Sequence, residues 1–184
     1  QVKGIFPKDL LELNIEIILA NTYHLMLRPG EELIKKFSGL QKFMNWEKPI
    51  LTDSGGFQVW SLSKLRNIKE EGIEFSSHVD GKKYKLTPES SILIQEKLNS
   101  TISMVLDECT EYPATYARSK ESMELSMRWA ERCKKAFTKR KGYGLFGIIQ
   151  GGMFGDLRKE STKILNEIEF DGYALGGLSV GENH

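Results

Sequence analysis

Cysteine is scarce in this chain, two residues among 184, and Cys109 and Cys133 stand at no metal-ligand spacing, so both read as reduced thiols of a cytoplasmic protein. No apolar run approaches the ~20 residues needed to cross a bilayer and no signal peptide is read at the start, which argues against a membrane partner. An excess of one charge is missing too: 26 Lys and Arg against 25 Asp and Glu leave a formal charge of +1 and no whole-molecule attraction to nucleic acid. A basic run, Lys134, Lys135, Lys139, Arg140 and Lys141, reads as the solvated C-terminal end of a helix, where cations suit the dipole. Histidine is limited to His24, His78 and His184, none with a ligand partner at useful spacing. His24 and its neighbour Tyr23 are therefore assigned to structure, and no metal is expected in this chain. With 40% hydrophobic and 28% charged residues, the rest is ordinary globular composition for one or two domains.

What is present concentrates in Leu51-Thr52-Asp53-Ser54-Gly55-Gly56-Phe57-Gln58. An aspartate follows a short apolar run and precedes paired glycines, which let backbone N–H groups approach a ligand at angles other residues resist. The same stretch also fits a plain strand-to-helix turn with an Asx cap. Three further segments repeat the pattern of polar residues just after a strand, and that repetition favours an active site.

Strand-like and helix-like segments alternate along the chain. Pro7 to Leu13 reads as a short helix and Ile15 to Leu19 as a strand ending at Ala20-Asn21-Thr22-Tyr23-His24. Pro29-Gly30 starts a helix to about Phe37, and Ile50 to Thr52 is the next strand. An irregular excursion follows as far as Asp80-Gly81, whose hairpin signal predicts a small antiparallel insertion. Thr87 as N-cap and Pro88 at the first helical position open a helix ending near Leu98. Ile102 to Leu106 is a strand leading into Asp107-Glu108-Cys109-Thr110, and Thr115 to about Arg140 is a long amphipathic helix. Leu145 to Ile149 is a strand closed by Gln150-Gly151-Gly152. A helix over about 155–168 and a strand around 172–175 follow, opening into Gly176-Gly177-Leu178.

This order predicts an α/β fold with a parallel sheet and its chemistry at the C-terminal strand ends. Five strand–loop units can be counted, whereas a closed (β/α)8 barrel needs eight, so the expectation is a partial TIM barrel: one incomplete domain over residues 1–184. A doubly wound open sheet is the alternative, but no Gly-x-Gly-x-x-Gly turn follows the first strand.

Five motifs, in order, carry a resemblance to a known family. Asn21-Thr22-Tyr23-His24-Leu25 with Arg28-Pro29-Gly30, the Asp53 loop, Asp107-Glu108-Cys109-Thr110, Gly147-Ile148-Ile149-Gln150-Gly151-Gly152 and Phe170-Asp171-Gly172-Tyr173-Ala174-Leu175-Gly176-Gly177-Leu178 resemble the tRNA-guanine transglycosylases over essentially the whole chain. The resemblance implies a cytoplasmic enzyme on a TIM barrel, homodimeric at full length. It would replace the wobble guanine of a tRNA with a 7-deazaguanine base in queuosine biosynthesis. Such an exchange, with the sugar configuration unchanged, needs two displacements, hence a carboxylate nucleophile and a second acid that shuttles a proton. Asp53 matches the family's general acid/base. Guanine offers two adjacent N–H donors and the O6 acceptor, and Asp107 matches the carboxylate that takes the donors, with Gln150 and the Gly177 N–H matching the donors to O6. Ser54, Gly55, Gly56, Phe57 and Leu178 fall in the same base-binding motifs, Phe57 at an aromatic position that stacks on the base. Cys109 and Val180 match positions that shape the pocket around the 7-substituent and favour prequeuosine-type bases. Glu182 matches a carboxylate beside the peptide that contacts that substituent. Taken without the resemblance, Asp107 could equally cap the next segment, and Phe57, Cys109 and Val180 could be plain packing.

The resemblance also places the family's zinc ligands, its nucleophilic aspartate and most tRNA-contacting basic segments beyond His184, and an N-terminal portion before Val2-Lys3-Gly4. The expected function is therefore that of a tRNA-guanine transglycosylase fragment with the base pocket and acid/base aspartate. The alternative is a non-catalytic fragment or subunit that binds tRNA or a partner. Purified chain is expected to incorporate no labelled guanine into tRNA. Turnover at an ordinary enzymatic rate would assign the nucleophile to a carboxylate within residues 1–184.

Overall fold

The computed structural model describes residues 4–62 and 66–182. The first half runs through α1 (Pro7–Glu12), β1 (Ile18–Ala20), α2 (Thr22–Leu27), α3 (Glu31–Lys36), α4 (Leu40–Met44), β2 (Ile50–Thr52), α5 (Gly56–Leu62), β3 (Arg66–Lys69), β4 (Gly72–Ser76) and β5 (Lys83–Leu86). The second half is a regular alternation of α6 (Pro88–Lys97), β6 (Ile102–Met104), α7 (Tyr116–Ala136), β7 (Gly144–Ile149), α8 (Gly155–Ile168) and β8 (Gly172–Leu175).

Five strands form one parallel sheet in the order β1-β2-β6-β7-β8, and β3-β4-β5 form a separate antiparallel sheet. The architecture is that of a partial TIM barrel with a small insertion. The sheet stays open, with β1 and β8 at its edges among the described residues. Its register sets Ala20 beside Thr52 and Thr52 beside Ser103, so the loops leaving β1, β2 and β6 start at nearly the same height. That alignment brings Asn21, Asp53 and Asp107 to one end of the sheet.

Local signals explain the main helices. Thr87 accepts the Ser90 N–H at 3.1 Å while the Ser90 hydroxyl accepts the Thr87 N–H at 2.8 Å, a reciprocal cap with Pro88 in the first turn. Thr115 caps α7 by accepting the Arg118 N–H at 3.2 Å. Met123, Met127, Trp129, Ala130 and Cys133 on α7 join Ile92, Leu145, Leu157 and Leu165 in the main core, while Ile34, Leu40, Trp46, Ile50 and Leu98 form a second one. The insertion is fastened to α7. Trp129 Nε1 and Arg132 Nη1 both donate to the Glu70 carbonyl, and Arg132 also clasps the Glu89 carboxylate at 2.7 and 2.9 Å.

Several sequence expectations need correction. The segment after Asp53 is not irregular: it forms α5 and a three-stranded sheet, and α2 and α4 are further short helices that periodicity over so few residues does not reveal. The strand beginning at Ile102 ends at Met104, because the Leu106 N–H leaves the ladder for Cys133 Sγ at 3.3 Å and the Glu108 N–H for Ser126 Oγ at 3.0 Å. The basic run does not all lie in a helix. α7 stops at Ala136, Phe137 is extended, and Arg140 stacks on Tyr143 at 3.8 Å and donates to Asn99 Oδ1. The assignment of His184 lies outside the described residues.

One fully buried side chain joins three elements. Gln95 on α6 donates to the Met104 carbonyl at 2.9 Å and accepts from the Met104 N–H at 2.9 Å and the Thr52 hydroxyl at 2.8 Å. Replacing it strands these groups away from water, at ~1–3 kcal/mol for an unsatisfied partner. Gln95→Leu should lower the free energy of unfolding by about 3 kcal/mol, measured by urea titration. A loss below ~1 kcal/mol would show that water or backbone movement replaces the amide.

Candidate functional site

The site lies at the C-terminal ends of the parallel strands. Asp53 follows β2 directly, and its carboxylate accepts three neutral donors: Asn21 Nδ2 at 2.7 Å, the Thr22 N–H at 3.1 Å and the Gly55 N–H at 3.0 Å. The Thr22 hydroxyl donates to the Asp53 carbonyl at 2.6 Å, so the α2 N-terminus grips backbone and side chain together. Ser54 is buried and donates to Asp107 Oδ1 at 3.4 Å. Gly56 must be small, since a Cβ there would stand 2.7 Å from the Asp107 carbonyl.

Asp107 receives its closest contact from Gln150, whose Nε2 donates to Oδ2 at 2.6 Å. Gln150 is buried and its backbone N–H is held by Ser161 Oγ at 3.1 Å, yet its Oε1 has no hydrogen-bond partner. An unpaired buried amide oxygen is costly in a resting protein and marks a place where a ligand donor or a reoriented amide belongs. Gly176 and Gly177 press against this amide: a Cβ would fall 2.6 Å from Nε2 at Gly176 and 2.8 Å from Oε1 at Gly177, where φ is also +68°. Asp53, Ser54, Gly55, Gly56, Asp107, Gln150 and Gly177 therefore gather at this end of the sheet through shared contacts.

The remaining candidates ring this group. Phe57 is 44% exposed on α5, its ring 5.6 Å from that of Trp60, and Leu178 is 46% exposed. Cys109 and Val180 do not share a cavity. Cys109 lines a small recess with Gly56, Trp60 and Asp107, whereas Val180 and Gly177 line a chamber of about 220 Å³ with Thr110, Tyr112, Ser119 and Gly152. Glu182 is held below the usual carboxylate range by its own backbone N–H and then by the Ser179 and Val180 N–H groups, the last donating at 2.8 Å. Burial pushes both thiols up to about 12, and Cys133 Sγ is already engaged with the Leu106 N–H. Among the described residues no group of three or more His, Cys, Asp or Glu is placed to hold a metal ion.

Four residues take roles that the sequence pattern does not show. Asn21 and Thr22 belong to a motif that gives no sign of their bonds to Asp53. Once β1 is set beside β2, the residues following Ala20 and Thr52 face each other. Glu108 next to Asp107 points the other way, buried in an ion pair with Arg118. Arg158 on α8 donates from Nη1 to the carbonyls of Gly176 at 3.0 Å and Gly152 at 3.4 Å.

A family model described as queuine tRNA-ribosyltransferase matches residues 1–184. The chain belongs to that family. It is 60% identical over 181 residues to the queuine tRNA-ribosyltransferase of Rickettsia akari (strain Hartford), covering 98% of this chain and 50% of the relative. Those of Rickettsia felis (strain ATCC VR-1525 / URRWXCal2) and Rickettsia bellii (strain RML369-C) are 59% and 60% identical over the same shares. The chain spans about half the length of the curated relatives it matches. No helix among the described residues is long and apolar enough to cross a membrane.

Electrostatics sets the two aspartates apart from the surface carboxylates. Burial raises Asp53 to about 6, opposed by the Thr22 and Gly55 N–H bonds and reinforced by the charge of Asp107. Burial likewise raises Asp107 to about 6 against the Gln150 and Ser54 bonds. Each group binds its proton more tightly folded than unfolded, so its contribution is complete below about pH 4 and is lost as pH rises through about 6. Urea titrations between pH 4 and 7 should show stability falling by a few kcal/mol from this source, since one unit is ~1.4 kcal/mol. Asp53→Asn/Asp107→Asn should flatten that slope. An unchanged slope would place the responsible groups elsewhere.

Proposed function

We propose that this chain forms the base-recognition and proton-transfer part of a tRNA-guanine transglycosylase, exchanging a wobble guanine for a prequeuosine-type 7-deazaguanine. The observation that carries this reading is the Asp107–Gln150 pair, a buried carboxylate and amide joined at 2.6 Å beside Gly177. A guanine edge set against it would give its N1–H and N2–H to the Asp107 carboxylate. O6 would accept from the second hydrogen of Gln150 Nε2 and from the Gly177 N–H. Adenine reverses the pattern at positions 1 and 6 and would leave these groups unpaired, a mismatch that can cost several orders of magnitude in rate.

Asp53 serves as the proton shuttle in this reading. A carboxyl raised to about 6 both holds and releases a proton near neutrality, which suits protonation of a departing base and deprotonation of an incoming one. Phe57 and Leu178 are exposed and available to cover the base, and of the two residues matched to the 7-substituent pocket only Cys109 lines the recess that Asp107 lines. The same reading makes residues 1–184 a single incomplete barrel domain of a cytoplasmic, homodimeric enzyme whose macromolecular substrate is tRNA.

The test is calorimetric titration of guanine and adenine into the purified chain, with Asp107→Asn alongside. An amide at position 107 accepts only one of guanine's two donors and sets its own N–H against the other. Guanine binding should fall on the order of 100-fold or more while the melting temperature at pH 7 changes little, because Asn can still pair with Gln150 and Ser54. Equal binding of adenine and guanine by the unaltered chain would refute the base pocket. A collapse of melting temperature in Asp107→Asn would assign the residue to structure.

A further inference from the structure

Arg158 has no carboxylate partner among the described residues, although it is partly buried and burial lowers its pKa. Its Nη1 instead bridges two carbonyls, Gly152 on the loop after β7 and Gly176 on the loop after β8. The Gly176 carbonyl belongs to the same peptide unit as the Gly177 N–H. A trans peptide is planar, so its C=O and N–H point in opposite directions, and fixing one fixes the other. The Gly176 N–H is tied to the Ile149 carbonyl at 2.9 Å, and beyond that bond the unit turns on Gly177. Gly177 sits at φ +68° between a glycine and an exposed leucine, a backbone with wide freedom to turn. The Gln150 amide, with its unpartnered Oε1, lies against Gly176 and Gly177.

We infer that Arg158 is a positioning residue for base recognition: by holding the Gly176 carbonyl it aims the Gly177 N–H at the base's O6. The inference rests on the base-pocket reading above and assigns to α8 a role in guanine selection. The cation also draws electron density toward the carbonyl oxygen and makes the N–H of the same unit a stronger donor, as hydrogen bonds in series polarise one another. A neutral donor would hold the peptide but polarise it less. One nitrogen makes both contacts, so a lysine ammonium of similar reach can replace the guanidinium here, unlike at bidentate sites.

The paired glycines before α8 fit the same purpose. A Cβ on Gly151 would come within 2.7 Å of the Arg158 backbone nitrogen, so only glycine lets the helix start this close to the sheet. That approach sets the Arg158 side chain within reach of the β8 loop. Thr162 Oγ1 donates to the Arg158 carbonyl at 2.8 Å, further fixing the turn that carries it.

The test compares guanine with 6-thioguanine, which keeps both N–H donors but offers a weak sulfur acceptor in place of O6. Affinities for both are measured by calorimetry for the unaltered chain, Arg158→Met and Arg158→Lys. Arg158→Met should weaken guanine roughly tenfold and 6-thioguanine less than threefold, and Arg158→Lys should restore most of the guanine affinity. Equal losses for both ligands, or no loss, would overturn the inference and leave Arg158 a tie between two loops. If the unaltered chain binds neither base, the base-pocket reading fails on its own, and the amide resonance of Gly177 in 15N-labelled protein decides the rest. The geometry requires that resonance to move in Arg158→Met and to return in Arg158→Lys. Identical Gly177 shifts in all three proteins would show that Arg158 does not hold this peptide.

Discussion

The arrangement at the sheet's upper end depends on the Gln95 carboxamide. β2 stops at Thr52, so the Met104 N–H and C=O that face it have no strand left to pair with. In an apolar interior two unpaired backbone groups would be costly, and the chain would have to hydrate them or shift register. Gln95 supplies both partners from α6 and takes the Thr52 hydroxyl as a third bond. Two strands that end one residue out of step can therefore lie side by side in a dry core. Asp53 and Asp107 follow those ends, so the separation of the two acids is set by an amide that touches neither.

Backbone economy around the acids follows from this placement. Bringing two carboxylates together with little water raises the free energy of their charged forms, and the chain offsets this with neutral donors, not cations. Asn21, Thr22 and Gly55 serve Asp53, while Ser54 and Gln150 serve Asp107. A nearby arginine would have stabilised the anions more but would also have pulled their pKa values down, away from neutrality. Arg118 is turned to Glu108. Glycines at 56, 176 and 177 then let backbone come within contact distance of Asp107 and of Gln150, where a Cβ would collide.

Stability and function pull in different directions here. Gln150 Oε1 is left without a partner, and the open sheet leaves Leu19 and Leu175 half or more exposed on its two edge strands. Both features are costs that a protein selected for packing alone would remove. The first follows from the Gln150 amide turning its Nε2 toward Asp107 Oδ2. The second agrees with a chain that spans about half the length of the relatives it matches.

Much of this was legible from the sequence, for identifiable reasons. The caps at Thr87 and Thr115, the strands around Ile50, Leu145 and Gly172 and the placement of polar residues after them follow from local preferences that read within a few residues. The five motifs, being side chains in fixed order, carried the family. What the sequence by itself could not determine were the partnerships that depend on distant elements meeting. Asn21 and Thr22 serve Asp53 because β1 pairs with β2 in a particular register. The early end of β6 is decided by Cys133 and Ser126 on α7, and the grip of Arg158 on Gly176 by the packing of α8 against β7, the strand that β8 pairs with. Each of these bonds joins residues 18 to 32 positions apart, and no local preference encodes them. Only the closing of strands and helices around one core brings their atoms within hydrogen-bond distance.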